Sequence, residues 1–214
     1  MRWRRLFTEM SSIKNDKMPC SQQRALICPE EAVNRMPWLT DARKEHILRT
    51  AQTVKELSDR FKIQADAADN AYIAAVYHDC ANGIEKELLK KYSKEIKGFE
   101  EYMPTLHAPL GACIARDIFG IENESILEAI RWHCTGKAGM TKAELLVYLA
   151  DAIEPGRDYP GVEQYRIAAE KSLERAVGLY TLGSVRYMQN KWPINPYTLE
   201  CLRFYSEYID IYNI

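Results

Sequence analysis

The chain has 214 residues, 47% hydrophobic and 28% charged, which suffices for one domain with a full core and is too apolar for a disordered polymer. Lysine plus arginine (29) nearly cancels aspartate plus glutamate (30), so a net charge of −1 gives no electrostatic reason to expect nucleic acid or an anionic membrane as partner. The six cysteines, Cys20, Cys28, Cys80, Cys113, Cys134 and Cys201, form no CxxC pair and fit neither a zinc ribbon nor a disulfide framework, which points to a reducing compartment.

Residues 1–29 are polar and mixed, with no sustained period. They read as a loosely ordered leader, or as sequence upstream of the true start, since Met10 and Met18 can each initiate; a short helix packed on the domain is the alternative. The basic start MRWRRLFTEMSSIKNDKM lacks the apolar stretch of a secretory signal. The best apolar run, Ala71 to Tyr77, is far short of a bilayer span. The expected location is the cytoplasm.

From Pro29 onward the pattern is helical almost throughout, and residues 30–214 read as one domain. Leu48, Ala51, Val54, Leu57 and Phe61 recur every three or four residues, predicting an amphipathic helix from Asp41 to Phe61. Asp66 to His78 is a second, with Ala71, Ala74, Ala75 and His78 on one face. Glu85 to Tyr92 is a short third and His107 to Phe119 a fourth. Asn123 caps a fifth that runs to His133. Thr141-Lys-Ala-Glu144 reads as a capping box opening a sixth that Pro155 closes. Val162 to Leu179 is the seventh, and Asn195-Pro196 starts the last. No run alternates apolar and polar residues between turn signals, so no strand is expected. The predicted class is all-α, with seven to eight helices.

The chain has four histidines: His46, His78, His107 and His133. Each falls in a predicted helix, at or near an end, and Asp79 follows His78 directly. Asp151 lies inside the apolar run LLVYLADAI, where an ionised carboxylate is costly unless a positive partner or a metal compensates it. A helix-end residue bonded to backbone is the plainer alternative. His46, His78, Asp79 and Asp151 offer the imidazole nitrogens and carboxylate oxygens that a borderline divalent ion accepts, with no thiolate among them. His107 and His133 add two imidazoles, enough for a second ion if one carboxylate bridges. Neighbouring helical residues point about 100° apart. His78 and Asp79 can therefore flank one metal while Asp79 reaches another. Any one of these residues alone is more often an ordinary structural side chain; the ordered set carries the argument.

That set resembles the HD-domain metal-dependent phosphohydrolases, whose pattern is H…HD…D. The surrounding blocks resemble the YqeK branch of that superfamily: RKEHILRTAQTVKELS, AAVYHDCANG, TLHAPLGACIA, EAIRWHCTGKAGM and LLVYLADAIEPGRDYPGVEQYR occur in its order. The resemblance runs from about Glu30 to the C-terminus. It implies a helical HD fold with two metal ions, iron expected, in divalent or trivalent form. His46, His78, Asp79 and Asp151 would hold one ion; Asp79 would bridge to a second, bound also by His107 and His133. It further implies symmetrical hydrolysis of dinucleoside tetraphosphates, diadenosine tetraphosphate giving two ADP. One departure stands out: the family usually carries a lysine soon after HD, where this chain has Asn82, a neutral amide in place of a point charge. The N-terminal leader is also longer than expected of the family.

In the chemistry so implied, a hydroxide bridging two ions is the nucleophile and Asp79 the central catalytic ligand. Lys137, Arg157 and Arg166 are the candidates to bind phosphates beyond the metals; their alternative is surface charge, or pairing with Glu154, Asp158 or Glu163. Gly136 and Gly139 make residues 135–140 either a flexible lip over the substrate or an ordinary helix cap and turn. Thirteen tyrosines and four tryptophans offer platforms for adenine, but nothing in the pattern selects one. The expected partner is a dinucleoside polyphosphate, with no nucleic acid and no membrane; a homodimer is left open. Competing readings are hydrolysis of another nucleotide, a di-iron oxygenase, which oxygen consumption would reveal, and a non-catalytic nucleotide sensor, which binds without turnover.

Overall fold

The computed structural model describes residues 28–209. The leader expected over residues 1–29 lies outside that range except for its last two positions, and Pro29 already opens a helix. The described residues contain ten α-helices and no strand, as the all-α expectation required. They are α1 (Pro29–Asn34), α2 (Asp41–Arg60), α3 (Ala65–Tyr77), α4 (Glu85–Leu88), α5 (His107–Asp117), α6 (Glu124–Trp132), α7 (Lys142–Ile153), α8 (Val162–Ala169), α9 (Leu173–Met188) and α10 (Pro196–Tyr205). Short 3-10 turns occupy Met103–Thr105 and Ser206–Tyr208.

Local chemistry sets most of these boundaries. The side chains of Thr40, Asn123, Ser172 and Asn195 accept hydrogen bonds from the backbone N–H groups of Arg43, Ser125, Arg175 and Tyr197, satisfying donors that the first helical turn leaves unpaired. Thr141 and Glu144 form the capping box reciprocally, at 3.3 and 2.6 Å. Two predicted helices differ. The one expected from Val162 to Leu179 is two: the chain turns at residues 170–172, and Ser172 caps a new helix that continues to Met188. The one expected from Glu85 to Tyr92 ends at Leu88, and turns carry the chain onward.

The core is built around α3 and α7, which pack on one another and are flanked by α2 and α6; α9 covers the far side of α7. From Ala143 to Ile153, α7 is buried at every position except Asp151. The stretch Ala74-Ala75-Val76 of α3 is buried completely, small side chains allowing neighbouring helices close. At the crossing of α5, a Cβ on Gly111 would lie 3.1 Å from the His78 carbonyl oxygen and 3.2 Å from Ile130, so glycine lets α5 lie against the end of α3. No helix of the described residues is long and apolar enough to cross a membrane.

This packing brings together the C-terminal ends of α3, α6 and α7, the first residue of α5 and the second turn of α2. Three helix C-termini carry partial negative charge into one region, which favours a cation there.

Candidate metal centre

Each histidine reaches that region from a different element. His46 rises from α2. His78 and His133 are the residues that end α3 and α6, and His107 begins α5. Asp79 follows His78 and is buried; Asp151 comes from the last turn of α7 with its side chain 14% exposed. The six donors fall into two groups that share Asp79. His46 Nε2 lies 3.2 Å from His78 Nε2, 2.9 Å from Asp151 Oδ1 and 3.6 Å from Asp79 Oδ2. His107 Nε2 lies 3.2 Å from His133 Nε2 and 3.2 Å from Asp79 Oδ1. The two oxygens of Asp79 therefore face opposite groups, a disposition suited to a bridge.

The far nitrogens show why these rings fit a metal. His78 Nδ1 lies 2.7 Å from the Ala75 carbonyl and His133 Nδ1 2.7 Å from the Ile130 carbonyl, each three residues back in its own helix. His46 Nδ1 lies 3.1 Å from Glu154 Oε1. An acceptor at Nδ1 orients each ring so that Nε2 is the nitrogen turned toward the shared region. The His46 and His78 Nε2 atoms face each other across 3.2 Å, with Asp151 Oδ1 2.9 Å from the first and Asp79 Oδ2 3.3 Å from the second. Burial holds His78 below the ordinary imidazole range. The donor set fits a divalent cation.

The carboxylates are ionised. Burial opposes that, but neighbouring His78 and His107 hold Asp79 well below the usual carboxylate range, and His46 and Arg157 do the same for Asp151. Arg43 Nη1 reaches Asp79 Oδ2 at 2.6 Å, and Arg157 pairs with Asp151 while its Nε bonds the Asp151 carbonyl at 2.7 Å. Burial likewise opposes charge on His107, but Cys134 and Asp79 hold its proton well above the ordinary range.

Around these groups lies a cleft of about 370 Å³, lined among others by Arg43, Asn82, Met103, Pro104, Cys134 and Arg157. Of the three expected phosphate-binding residues, the cleft takes only Arg157. Lys137 points elsewhere: its Nζ lies 2.7 Å from Glu144 and 3.5 Å from Glu128, above the Trp132 ring. Arg166 is committed to the chain itself, donating to the carbonyls of Ile153, Glu154 and Arg157 at 2.8–3.0 Å. Nor do residues 135–140 overhang the cleft. Thr135, Gly136 and Met140 are buried, and a Cβ on Gly136, whose φ is 61°, would lie 2.6 Å from Cys201 Sγ of α10. The segment is the helix cap and packed turn, not the lip.

Three residues at the site escaped the sequence reading. Arg43 sits one helical turn before His46 on the same face, a spacing that was legible. Glu154 binds His46, Arg49 and the Gly156 N–H, the latter two at 2.5 Å, with nothing in its local pattern to announce it. Cys134 belongs to no CxxC pair, yet its Sγ lies 3.1 Å from His107 Nε2 and 3.2 Å from His133 Nε2. Burial opposes ionisation, but those imidazoles draw its thiol down to about 7. Among the described residues, none of the tyrosines and tryptophans lines the cleft.

A helical domain that gathers three histidines, a His-Asp pair and a distant aspartate around one cleft defines a class, the HD-type metal-binding proteins. The chain belongs to the HD domain family, whose model matches residues 43–156, and within it to the YqeK-type branch. It is 34% identical, over 76% of its length and 88% of the relative, to a protein of Halalkalibacterium halodurans named symmetrical bis(5'-nucleosyl)-tetraphosphatase. A Bacillus subtilis protein of the same name is 36% identical over 73% of this chain and 82% of the relative. Among solved structures, one described as a predicted HD superfamily hydrolase involved in NAD metabolism, from Clostridium acetobutylicum, superposes with a TM-score of 0.71. It is 26% identical, covering 83% of this chain and 96% of that one.

Proposed function

We propose that this chain is a metal-dependent hydrolase that cleaves dinucleoside tetraphosphates symmetrically. Water adds to one phosphorus of the central anhydride of diadenosine tetraphosphate, the bond to the opposite phosphate breaks, and two ADP leave. The reading is carried by one observation: six imidazole and carboxylate donors converge at a single cleft in a chain that aligns along most of its length with proteins of that name.

His46, His78, Asp79 and Asp151 are the proposed ligands of one ion, and Asp79, His107 and His133 of a second, with iron the proposed metal and manganese or zinc its substitutes. Ions held there would supply charge to neutralise phosphate oxygens and would lower the pKa of a water toward neutrality.

The protein's own groups do the rest. Glu154 and the two helix-end carbonyls hold the histidine rings so that Nε2 faces the cleft. Arg43 and Arg157 neutralise Asp79 and Asp151 in this structure. Both guanidiniums stand at the cleft wall, where their remaining N–H donors would face a bound phosphate. Met103 and Pro104 supply an apolar rim against which a nucleoside can rest. Asn82 lines the same wall and contributes a neutral amide there. The proposed compartment is the cytoplasm, in keeping with the five described cysteines, all free.

Product analysis tests the proposal. Metal-loaded protein incubated with diadenosine tetraphosphate should yield ADP alone by anion-exchange chromatography. Equal AMP and ATP would overturn the symmetry, and no turnover of any dinucleoside polyphosphate with metals in place would overturn the substrate class.

A further inference from the structure

Cys134 Sγ, His107 Nε2 and His133 Nε2 form a nearly equilateral triangle with edges of 3.1, 3.2 and 3.2 Å. Asp79 Oδ1 stands 3.2 Å from the His107 corner and 3.8 Å from the His133 corner. The Ile130 carbonyl against His133 Nδ1 turns the opposite ring nitrogen toward the sulfur. One sulfur, two imidazole nitrogens and a carboxylate oxygen thus converge on one point.

The spacing is close to that of a metal's ligand set. A tetrahedral ion bonded at about 2.0–2.1 Å to nitrogen and about 2.3 Å to sulfur holds those atoms roughly 3.3–3.6 Å apart. The observed edges need to open by only a few tenths of an ångström to reach that spacing. The other described cysteines have different surroundings. Cys80 donates to the Gly111 carbonyl at 3.3 Å, and Cys201 packs beside Thr181, while Cys134 is the cysteine that lines the cleft.

We propose that Cys134 Sγ is a protein donor to the second ion, completing with His107, His133 and Asp79 a four-atom site that contains a thiolate; the inference rests on the metal centre proposed above. Its consequence is selectivity. A soft sulfur favours zinc, ferrous iron and cobalt over manganese and magnesium, whereas an imidazole and carboxylate set discriminates less. The second ion position of this chain is therefore tuned toward thiophilic metals, and the first, built from His46, His78, Asp79 and Asp151, is not.

Cobalt(II) is the probe, because a cobalt-thiolate bond produces a charge-transfer absorption in the near ultraviolet that cobalt-imidazole and cobalt-carboxylate bonds lack. The full-length chain, stripped of metal, is titrated with cobalt(II), and bound cobalt is counted by elemental analysis. The expected result is a charge-transfer band in the parent protein that is lost in both Cys134→Ser and Cys134→Thr, with circular dichroism unchanged in at least one of them. Cobalt bound without that band overturns the assignment of Cys134 and leaves the metal centre standing. So does a band that persists in both variants. A folded parent protein that binds no cobalt overturns the metal centre itself, and this assignment with it.

Discussion

Glu154 holds the imidazole of His46 from behind: its Oε1 lies 3.1 Å from His46 Nδ1, and the opposite ring nitrogen lies 3.2 Å from His78 Nε2. Arg49 and the Gly156 N–H fix the carboxylate in turn, each at 2.5 Å. This carboxylate–histidine pair sets the orientation of the His46 ring and which nitrogen it turns to the cleft. Glu154→Gln keeps the shape but can present an N–H to the ring, so metal affinity should fall about 10–100-fold. Competition with a chromophoric chelator measures it, and an unchanged affinity would remove the orienting role.

Because Asp79 turns one oxygen to each group of donors, Asp79→Ala should remove activity most completely and deplete both ions. His107→Ala should chiefly weaken one ion, with partial rescue by excess metal. Asp151→Asn preserves shape without charge and should lose metal if the site needs the negative charge. Metal content by elemental analysis, read beside activity, separates these outcomes. Near-normal turnover and metal content in Asp79→Ala would show that the bridge is wrongly placed.

Acidity should act on the metal-free protein through two groups of opposite sign. Burial works against the ionised Glu154, but Arg49 and His46 lower its pKa, so its stabilisation is present above the ordinary carboxylate value and is lost as pH falls through the folded one. His107 is raised despite burial, by Cys134 and Asp79; its stabilisation is complete below the ordinary imidazole value and is lost as pH rises through the folded one. Metal must displace that proton, so uptake should release protons near neutral pH and tighten as pH rises. Titrations in buffers of differing ionisation enthalpy count the protons; uptake without any release would contradict the state assigned to His107.

Asn82 stands on the cleft wall with Arg43 and Arg157. Asn82→Lys adds a point charge for phosphate and should lower KM several-fold without changing the products, because the metal pair fixes which phosphorus is attacked. A changed product ratio would show that wall charge, and not the metals, sets the register.

Gly136 adopts φ 61°, and a Cβ there would lie 2.6 Å from Cys201 Sγ. Gly136→Ala should therefore cost about 1–2 kcal/mol or more, from left-handed strain and the clash together. A thermal melt reads the loss. The same variant tests whether the packed turn beside His133 supports the site, since its metal content should fall with its stability.

Helix periods, caps and the ordered histidines were legible in the chain because each depends on neighbours a few residues away. Thr141 and Glu144 determine their capping box in any helical context, and the six expected ligands carry a spacing that one dimension preserves. Asp151 was conspicuous as a charge inside an apolar run. What tertiary structure alone decided is where side chains more than a turn apart are sent. Lys137 lies four residues from His133, yet α7 offers it Glu144, so it turns from the cleft. Arg166 is drawn to three backbone carbonyls that only the fold brings near. Glu154 reaches His46 across 108 residues, and Cys134 meets His107 across 27, distances over which no periodicity speaks. Sequence carries the identity and order of the donors; packing of α2, α3, α5, α6 and α7 sets which of them share a point in space, because convergence depends on helix-end positions that long-range burial fixes.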